Sequence, residues 1–348
     1  GTINGLTGVL EFEDVRAISD NNDYNDGVNG RATFPAILDP ESTELNRAQL
    51  AYTGLPKTIV TAGRQKLIID NERFVGNVGW RQNEQTYDGL RLENMSLPNT
   101  ALSYTYVTRV NRFLSDDNPL GNFKGDTHLA NIGYDVKLGG FNWGKASAYA
   151  YLLDLENAPA LSTQTYGARF AGAHPITHKW KALYGAEYAR QTDYQRNLAN
   201  FSNDYTMAEL GLMKDRLFGG ALTGTVNWEI LAAEGGVAFS TPLATGHKFH
   251  GWADVFTAAT PATGLDDREA MLQYMKRSVL GLDVLRLTAA YHEYESEGGN
   301  LDYGDEVNFM VTADVWKRVV LLAKYANYDT EGFASDRRKF WLSAEVKY

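Results

Sequence analysis

The sequence predicts an all-β protein, an antiparallel transmembrane β-barrel of about 16 strands within a range of roughly 14 to 18. Three observations support this fold: apolar and polar residues alternate along short segments, short and long connections alternate between those segments, and aromatic residues lie on the apolar faces. Short periplasmic turns would then lie at one end of the barrel and long extracellular loops at the other.

The composition narrows the alternatives. The chain has 348 residues, no Cys, a formal net charge of -10 and a mean hydropathy of -0.36. No apolar run approaches the roughly 18 residues that a membrane helix needs, which excludes helical membrane spanning. The absence of Cys excludes disulfides and thiolate metal sites, and the acidic balance argues against a nucleic-acid partner. We expect a single domain over residues 1–348.

The last eleven residues, 338–348, show the alternation most clearly. Phe340, Leu342 and Tyr348 fall on one side of an extended chain, whereas Glu345 and Lys347 fall on the other. A strand of a soluble β-sandwich can alternate in the same way. The aromatic carboxy terminus, however, resembles the closing strand of a bacterial outer-membrane barrel.

The same pattern recurs along the chain and defines the predicted strands. They cover residues 7–16, 44–53, 58–68, 85–93, 101–111, 126–138, 143–153, 165–173, 180–190, 205–213, 222–231, 268–274, 282–292, 307–315, 319–328 and 338–348. The long connections all fall on one side of this series, at 17–42, 69–84, 112–124, 192–203 and 232–263. A soluble sandwich has no reason to sort its connections in this way, so the pattern favours a membrane barrel.

Aromatic residues give independent support because many lie on the apolar phase of a predicted strand, often near its end. These residues are Tyr104, Tyr106, Tyr134, Trp180, Tyr184, Tyr188, Trp228, Tyr291, Tyr325 and Phe340. Aromatic girdles at the two membrane interfaces have this distribution. In a sandwich core, each of these Tyr hydroxyls would need a buried partner.

The first long connection contains an oxygen-rich stretch at residues 20–27, with Asp20, Asp23 and Asp26 close together. Its spacing differs from that of the EF-hand calcium loop, which requires Asp or Asn at alternate positions, then Gly and a late Glu. A bound ion and a solvated loop both remain open for this stretch.

Two other stretches carry a resemblance to a known family. The first contains Gly63-Arg64-Gln65, Arg73-Phe74-Val75-Gly76, Trp80-Arg81-Gln82-Asn83 and Thr86-Tyr87-Asp88-Gly89, and the second contains His247-Lys248-Phe249, Gly251-Trp252-Ala253-Asp254, Thr260-Pro261 and Gly264-Leu265-Asp266-Asp267. Both resemble the alginate export family of outer-membrane barrels. That family includes an exporter of an anionic polysaccharide with an arginine-lined lumen, and relatives that look like nutrient channels.

The resemblance implies a porin-like channel in the outer membrane of a Gram-negative bacterium, in contact with lipid and lipopolysaccharide. We expect passive diffusion of small hydrophilic, anionic or saccharide solutes, without catalysis, metal or cofactor. The alternatives are an alginate-like polysaccharide exporter, a barrel phospholipase and a plugged structural barrel. Porins of this size often form trimers, but the residues themselves establish no homo-oligomer interface.

The polar phase of the strands provides the candidate pore lining, in which bases line one wall and acids much of the other. The bases are Arg47, Arg64, Lys66, Arg91 and Arg109, and the acids are Glu187, Glu209, Glu229 and Glu306. Opposed charges across a narrow pore would orient dipolar solutes and select by charge. These groups could equally pair across the lumen and only make the wall rigid.

The longest connection, 232–263, is expected to fold inward and narrow the pore, because it contains several large apolar side chains. Its candidate constriction residues are Phe239, His247, Phe249, Trp252 and Asp254. The alternative is packing against a neighbouring loop or subunit.

A hydrolase would need a Ser activated by a His. His128 has no obvious Ser partner, while Ser240, His247 and His250 share one loop, and no Gly-x-Ser-x-Gly or His-Glu-x-x-His motif is present. The sequence therefore predicts no enzyme.

Overall fold

The computed structural model describes residues 2–18, 23–257 and 259–347, and within them the chain forms nineteen β-strands and two 3-10 helices. The strands are β1 Thr2–Ile3, β2 Leu6–Val15, β3 Ser42–Leu55, β4 Thr58–Gln65, β5 Thr86–Asn94, β6 Thr100–Asn111, β7 Asn122–Leu138, β8 Phe141–Leu155, β9 Thr163–Pro175, β10 Trp180–Asp193, β11 Ser202–Leu217, β12 Gly220–Leu231, β13 Ala233–Glu234, β14 Val237–Ala238, β15 Leu265–Val279, β16 Leu282–Glu295, β17 Asp302–Val315, β18 Val319–Thr330 and β19 Arg337–Val346. The 3-10 helices are Pro159–Leu161 and Gly246–Lys248. None of the helices in the described ranges is long and apolar enough to cross a membrane.

Seventeen of the strands form one sheet, and β13 and β14 form a separate small hairpin. Each strand of the sheet pairs antiparallel with the next strand along the chain, and β12 pairs with β15 across the hairpin. The antiparallel all-β prediction is therefore confirmed. The predicted count of sixteen is slightly low, because the two-residue β1, too short to show alternation, adds a strand by pairing with β2.

The sheet curls around an interior, although residue pairing between β19 and the first strands, which would close a barrel, is not among the described ladders. A strand near one edge of the sheet and the strand at the other edge both contact the same interior segment. Ser42 Oγ of β3 donates to Asn83 Oδ1 at 2.6 Å. The ring of Trp80, three residues earlier, lies 5.6 Å from that of Trp341 on β19. This segment therefore links β3, near the first edge, with β19 at the other edge.

Side chains alternate between the two faces of the sheet, as the pleat requires. On β10, Glu187 is 4% exposed, whereas the adjacent Tyr188 is 50% exposed and points outward. Large apolar residues such as Leu210 and Leu342 lie exposed on the outer face. Of the ten predicted girdle aromatics, eight are exposed, while Tyr106 and Tyr184 are half-buried. The outer surface is thus apolar over much of its area, and the polar phase faces inward.

Short connections lie at one end of the sheet and long ones at the other, as predicted. The turn between β7 and β8 is Gly139-Gly140, with φ values of 61° and 81°. The β11–β12 turn has the same geometry at Phe218 and Gly219, with φ values of 48° and 79°. Positive φ at both central residues is the tight hairpin geometry that matches strand twist. The predicted closing residue Tyr348 lies outside the described residues.

Candidate functional site

Two of the long connections fold into the interior. We call residues 66–85, between β4 and β5, the β4–β5 insertion, and residues 232–264, between β12 and β15, the β12–β15 insertion. Leu67 and Phe239, one from each insertion, are both 0% exposed. Phe74 lies 5.9 Å from Phe239 and 5.2 Å from Tyr149 of β8, ring centre to ring centre. The interior is therefore packed with apolar side chains at this level.

Arg73 fixes the β4–β5 insertion to the far wall and is 1% exposed. Its Nε donates to Glu229 of β12 at 2.5 Å, and Nη1 donates to Thr241 of the other insertion at 3.0 Å. Its guanidinium also lies 5.3 Å from the ring centre of Tyr205. One buried cation thus joins both insertions to the sheet, an arrangement in which loss of a partner is costly.

The described part of the chain contains a candidate metal site. It is formed by Glu229, His250 and Asp267, whose potential ligand atoms lie within 4.8 Å of one another. Arg73 Nη2 lies 2.8 Å from His250 Nε2. Because a guanidinium only donates, Nε2 must accept, and the imidazole proton lies on Nδ1, which faces Asp267 Oδ2 at 3.0 Å. A protonated Nδ1 has no lone pair for a metal. The hydrogen bonds therefore argue against a metal here, and the absence of a cofactor stays a prediction.

A second cluster lies where both insertions meet β18 and β19. Lys324 of β18 and Lys339 of β19 are each 4% exposed. Lys339 Nζ donates to Asp254 at 2.8 Å, and Arg81 donates to the same carboxylate at 3.3 Å. Burial opposes ionisation of Asp254, but His247, Lys339 and Arg81 outweigh it and hold its pKa well below the usual range. Asp254 is thus the shared anion of this cluster.

The five predicted basic pore residues lie on the interior side, between β3 and β6, and all are partly exposed. The exposed fractions of their side chains range from 21% for Arg91 to 29% for Arg47 and Arg109. Each pairs with a carboxylate of the same wall: Arg47 with Glu11, Arg64 with Asp88, Lys66 with Glu84, Arg91 with Glu93 and Arg109 with Asp116. This wall therefore presents alternating charges rather than bases alone.

The predicted acidic residues are placed differently. Glu187, Glu229 and Glu306 are 4%, 1% and 0% exposed, respectively, and Glu209 is half-buried. Glu229 binds Arg73, and Glu306 accepts from the backbone N–H of Ala253 at 2.8 Å. These two carboxylates therefore hold the insertions, whereas the sequence prediction assigned them to the pore surface.

The candidate constriction residues all lie in the β12–β15 insertion. Phe239, His247 and Asp254 are buried, and Phe249 and Trp252 are half-buried. The sequence reasoning did not identify the β4–β5 insertion as an interior segment or assign roles to Lys324 and Lys339. A usable signal was present, because large apolar residues lie between Arg73 and Arg81, and both lysines lie on the polar phase of their strands.

A small cavity of about 160 Å³ lies below the β4–β5 insertion, on the side of the short turns. Polar groups lining it are Asp70, Arg91, Glu93, Ser103, Asn131 and Lys145. Asp70 reaches from the insertion to the wall, where it accepts from Lys145 at 2.7 Å and from Asn131 at 2.9 Å. The insertion thus extends into the lower half of the interior, next to the exposed charges of the basic wall.

The residues proposed for a hydrolase do not form a catalytic pair. The Ser240 hydroxyl contacts Gln191, whereas His247 contacts Asp254 and Lys324. His128 contacts the hydroxyl of Tyr104 at 2.7 Å. In the oxygen-rich stretch, 20–22 lie outside the described residues. Asp26 accepts from the backbone N–H groups of Val28 and Asn29, a turn contact that uses one of its oxygens.

No protein-family model matches the sequence, and no curated protein matches it. Similar solved structures include OccK1 (OpdK) of Pseudomonas aeruginosa, with a TM-score of 0.66 at 14% identity over 86% of this chain and 77% of that chain. OpdK with vanillate has a TM-score of 0.66 at 14% identity, with 86% and 76% covered. OccAB4 of Acinetobacter baumannii has a TM-score of 0.63 at 12% identity, with 86% and 73% covered.

At these identities the likeness shows the fold alone, which this chain shares with the outer membrane protein OpdK and with OccAB4. The resemblance to the alginate export family is not supported. It was based on short loop phrases in about a fifth of the chain, and no family model matches the sequence.

Proposed function

We propose that the chain forms a channel in the outer membrane of a Gram-negative bacterium, through which small hydrophilic solutes diffuse. The observation that carries this proposal is the two-sided wall: an apolar outer face and an inner row of partly exposed charge pairs between β3 and β6. Because backbone groups in lipid must be satisfied internally, the sheet closes into a barrel in the membrane. The barrel is a single domain in contact with lipid and lipopolysaccharide.

The route follows the charged wall. Its bases Arg47, Arg64, Lys66, Arg91 and Arg109 line the water-filled side, and the two insertions occupy the rest of the interior. The constriction lies between the inserted Asp70 and the charges of Arg91 and Glu93, around the cavity of about 160 Å³. A narrow passage lined with both signs of charge filters solutes by charge and dipole.

We infer that the solutes are small and polar, with anions preferred. The five bases of the wall support this preference, and vanillate, present in a structure of OpdK, is a suitable first carboxylate to test. The alternating carboxylates moderate the preference, so neutral saccharides also pass. We expect the solutes to diffuse through the channel without any catalysed reaction.

Planar-bilayer recording tests the proposal. Purified protein should give stepwise conductance, and a salt gradient should give a reversal potential of anion-selective sign. Proteoliposomes should swell in solutions of small saccharides and vanillate. The absence of both conductance steps and swelling would instead favour a plugged structural barrel, which the apolar packing of Phe74 and Phe239 across the interior makes the second candidate.

A further inference from the structure

Besides Arg73, a second buried cation, Lys324 on the wall of the sheet, contacts both insertions. Lys324 Nζ lies 3.7 Å from the ring centre of Trp80, in the β4–β5 insertion, and 4.3 Å from that of Trp252, in the β12–β15 insertion. Trp341 of β19 lies on a further side, at 5.5 Å. Cation–π attraction is strongest when the cation is desolvated, as here. Both insertions therefore dock on the same ammonium group.

His247 completes this contact, and its protonation state follows from its partners. Its Nε2 faces the Lys324 ammonium, which can only donate, so Nε2 accepts. Its Nδ1 lies 2.5 Å from Asp254 Oδ1 and therefore carries the single proton, which it donates. Trp80 stacks on the ring at 3.8 Å with an interplanar angle of 3°. The docked state thus requires a neutral imidazole.

The surrounding charges are unfavourable to a second proton on this ring. Lys324 of β18, Lys339 of β19 and Arg81 of the β4–β5 insertion all lie around the same pocket, and Arg81 and Lys339 already share Asp254. Arg337 of β19 adds a further cation by donating to the backbone oxygens of residues 253 and 254. The remaining acids lie farther out: Asp39 is 3.7 Å from Arg81, and Glu306 of β17 accepts from Ala253.

We propose that His247 is an acid-sensitive latch: its protonation breaks the contact with Lys324, releases the two insertions from β18 and β19, and widens the channel. The proposal rests on the proposed channel function, since it assigns a gate to that channel. One added proton places a second cation against the Lys324 ammonium. The released state relieves this repulsion because the imidazolium is then hydrated.

The sign of the pH dependence follows from linkage. Burial, opposed by Asp254 and reinforced by Lys324 and Arg81, lowers the pKa of His247 from 6.5 to about 3. Between these two values the released state binds more protons than the docked state, so acid favours release. The ratio of released to docked channels should rise by up to tenfold per pH unit below 6.5. At pH 4.5 this amounts to about 100-fold relative to neutral pH.

Single-channel recording at pH 7.5 and at pH 4.5 tests the latch, with His247→Gln as the main variant. Glutamine can accept from Lys324 and donate to Asp254, but it does not titrate in this range. We expect wild-type channels to populate a wider state about 100-fold more often at pH 4.5, and the variant to stay in the narrow state. His174→Gln is the matched control, because His174 stacks on Trp143 near a short turn, away from both insertions, and should keep the acid response.

Three results would overturn the latch. One is a His247→Gln channel that widens with the wild-type pH dependence, and another is a wild-type conductance that does not change with pH. If His247→Gln does not fold, Lys324→Met replaces it. Without the facing ammonium, protonation of His247 costs less, so an undiminished acid response would overturn the proposal.

Lack of conductance at every pH would instead defeat the channel function. Acrylamide quenching of tryptophan fluorescence in detergent would then decide the latch, since acid should expose Trp80 and Trp252 in the wild type but not in His247→Gln.

Discussion

Replacing Arg73 by Met should release the β4–β5 insertion while the sheet stays intact. Arg73 and Glu229 are a buried ion pair, with side chains 1% and 2% exposed. Removing one partner of such a pair leaves an uncompensated buried charge and costs about 3–5 kcal/mol. The population of undocked insertion should therefore rise between roughly a hundredfold and a few thousandfold.

Limited proteolysis measures this population, because cleavage follows the open fraction when opening and closing are fast. Chymotrypsin is suitable, since Phe74 and Phe249 lie in the two insertions and the substitution removes no aromatic residue. Arg109→Met is the matched control. Its pair with Asp116 is partly exposed, at 29% and 66%, so the loss should be at most about 1 kcal/mol.

The double variant Arg73→Met with Glu229→Gln separates charge from packing. Because it removes both charges, it should be cleaved more slowly than Arg73→Met alone. Cleavage of Arg73→Met at a rate within about threefold of Arg109→Met would show that Arg73 does not hold the insertion, since the two expected costs differ by at least about 2 kcal/mol.

Three further predictions concern the pore and the wall. Replacing Arg64 and Arg91 together by Glu should move the reversal potential toward cation selectivity, and an unchanged potential would show that these side chains do not face the route. Leu210→Arg, at the middle of the outer face, should lower the free energy of unfolding in lipid by about 2–4 kcal/mol, whereas Leu198→Arg, in an exposed connection, should cost little; equal costs in urea titrations would contradict a lipid-facing wall. Deleting residues 236–246 should raise single-channel conductance, because the β12–β15 insertion occupies part of the interior; an unchanged conductance would show that this insertion only packs beside the route.

Alternation alone located the strands. Along β10, Glu187 and Tyr188 occupy opposite faces because successive side chains of a strand must do so, and this requires no information from distant residues. Turn positions could be predicted for the same local reason, since the Gly139-Gly140 pair supplies the positive φ that a tight hairpin requires. The two-residue strands β1, β13 and β14 are too short to show such a signal.

The site was less predictable because it depends on residues that are distant in sequence. Arg73 and Glu229 are 156 positions apart. The alternation placed Glu229 on the interior phase, but it could not show whether water or an insertion would cover this side chain. Likewise, the apolar residues of 232–263 indicated an inward fold, but not that Asp254 would meet Lys339 of the last strand.

By itself, the sequence determined the architecture of the wall: antiparallel strands, an apolar outside, a polar inside, and long connections at one end. These are consequences of local periodicity and turn chemistry. Only the tertiary structure decided which polar residues stay near water and which are buried under the insertions. That choice depends on how two long connections pack against strands far away in the chain, where a buried charge is tolerated only beside its partner.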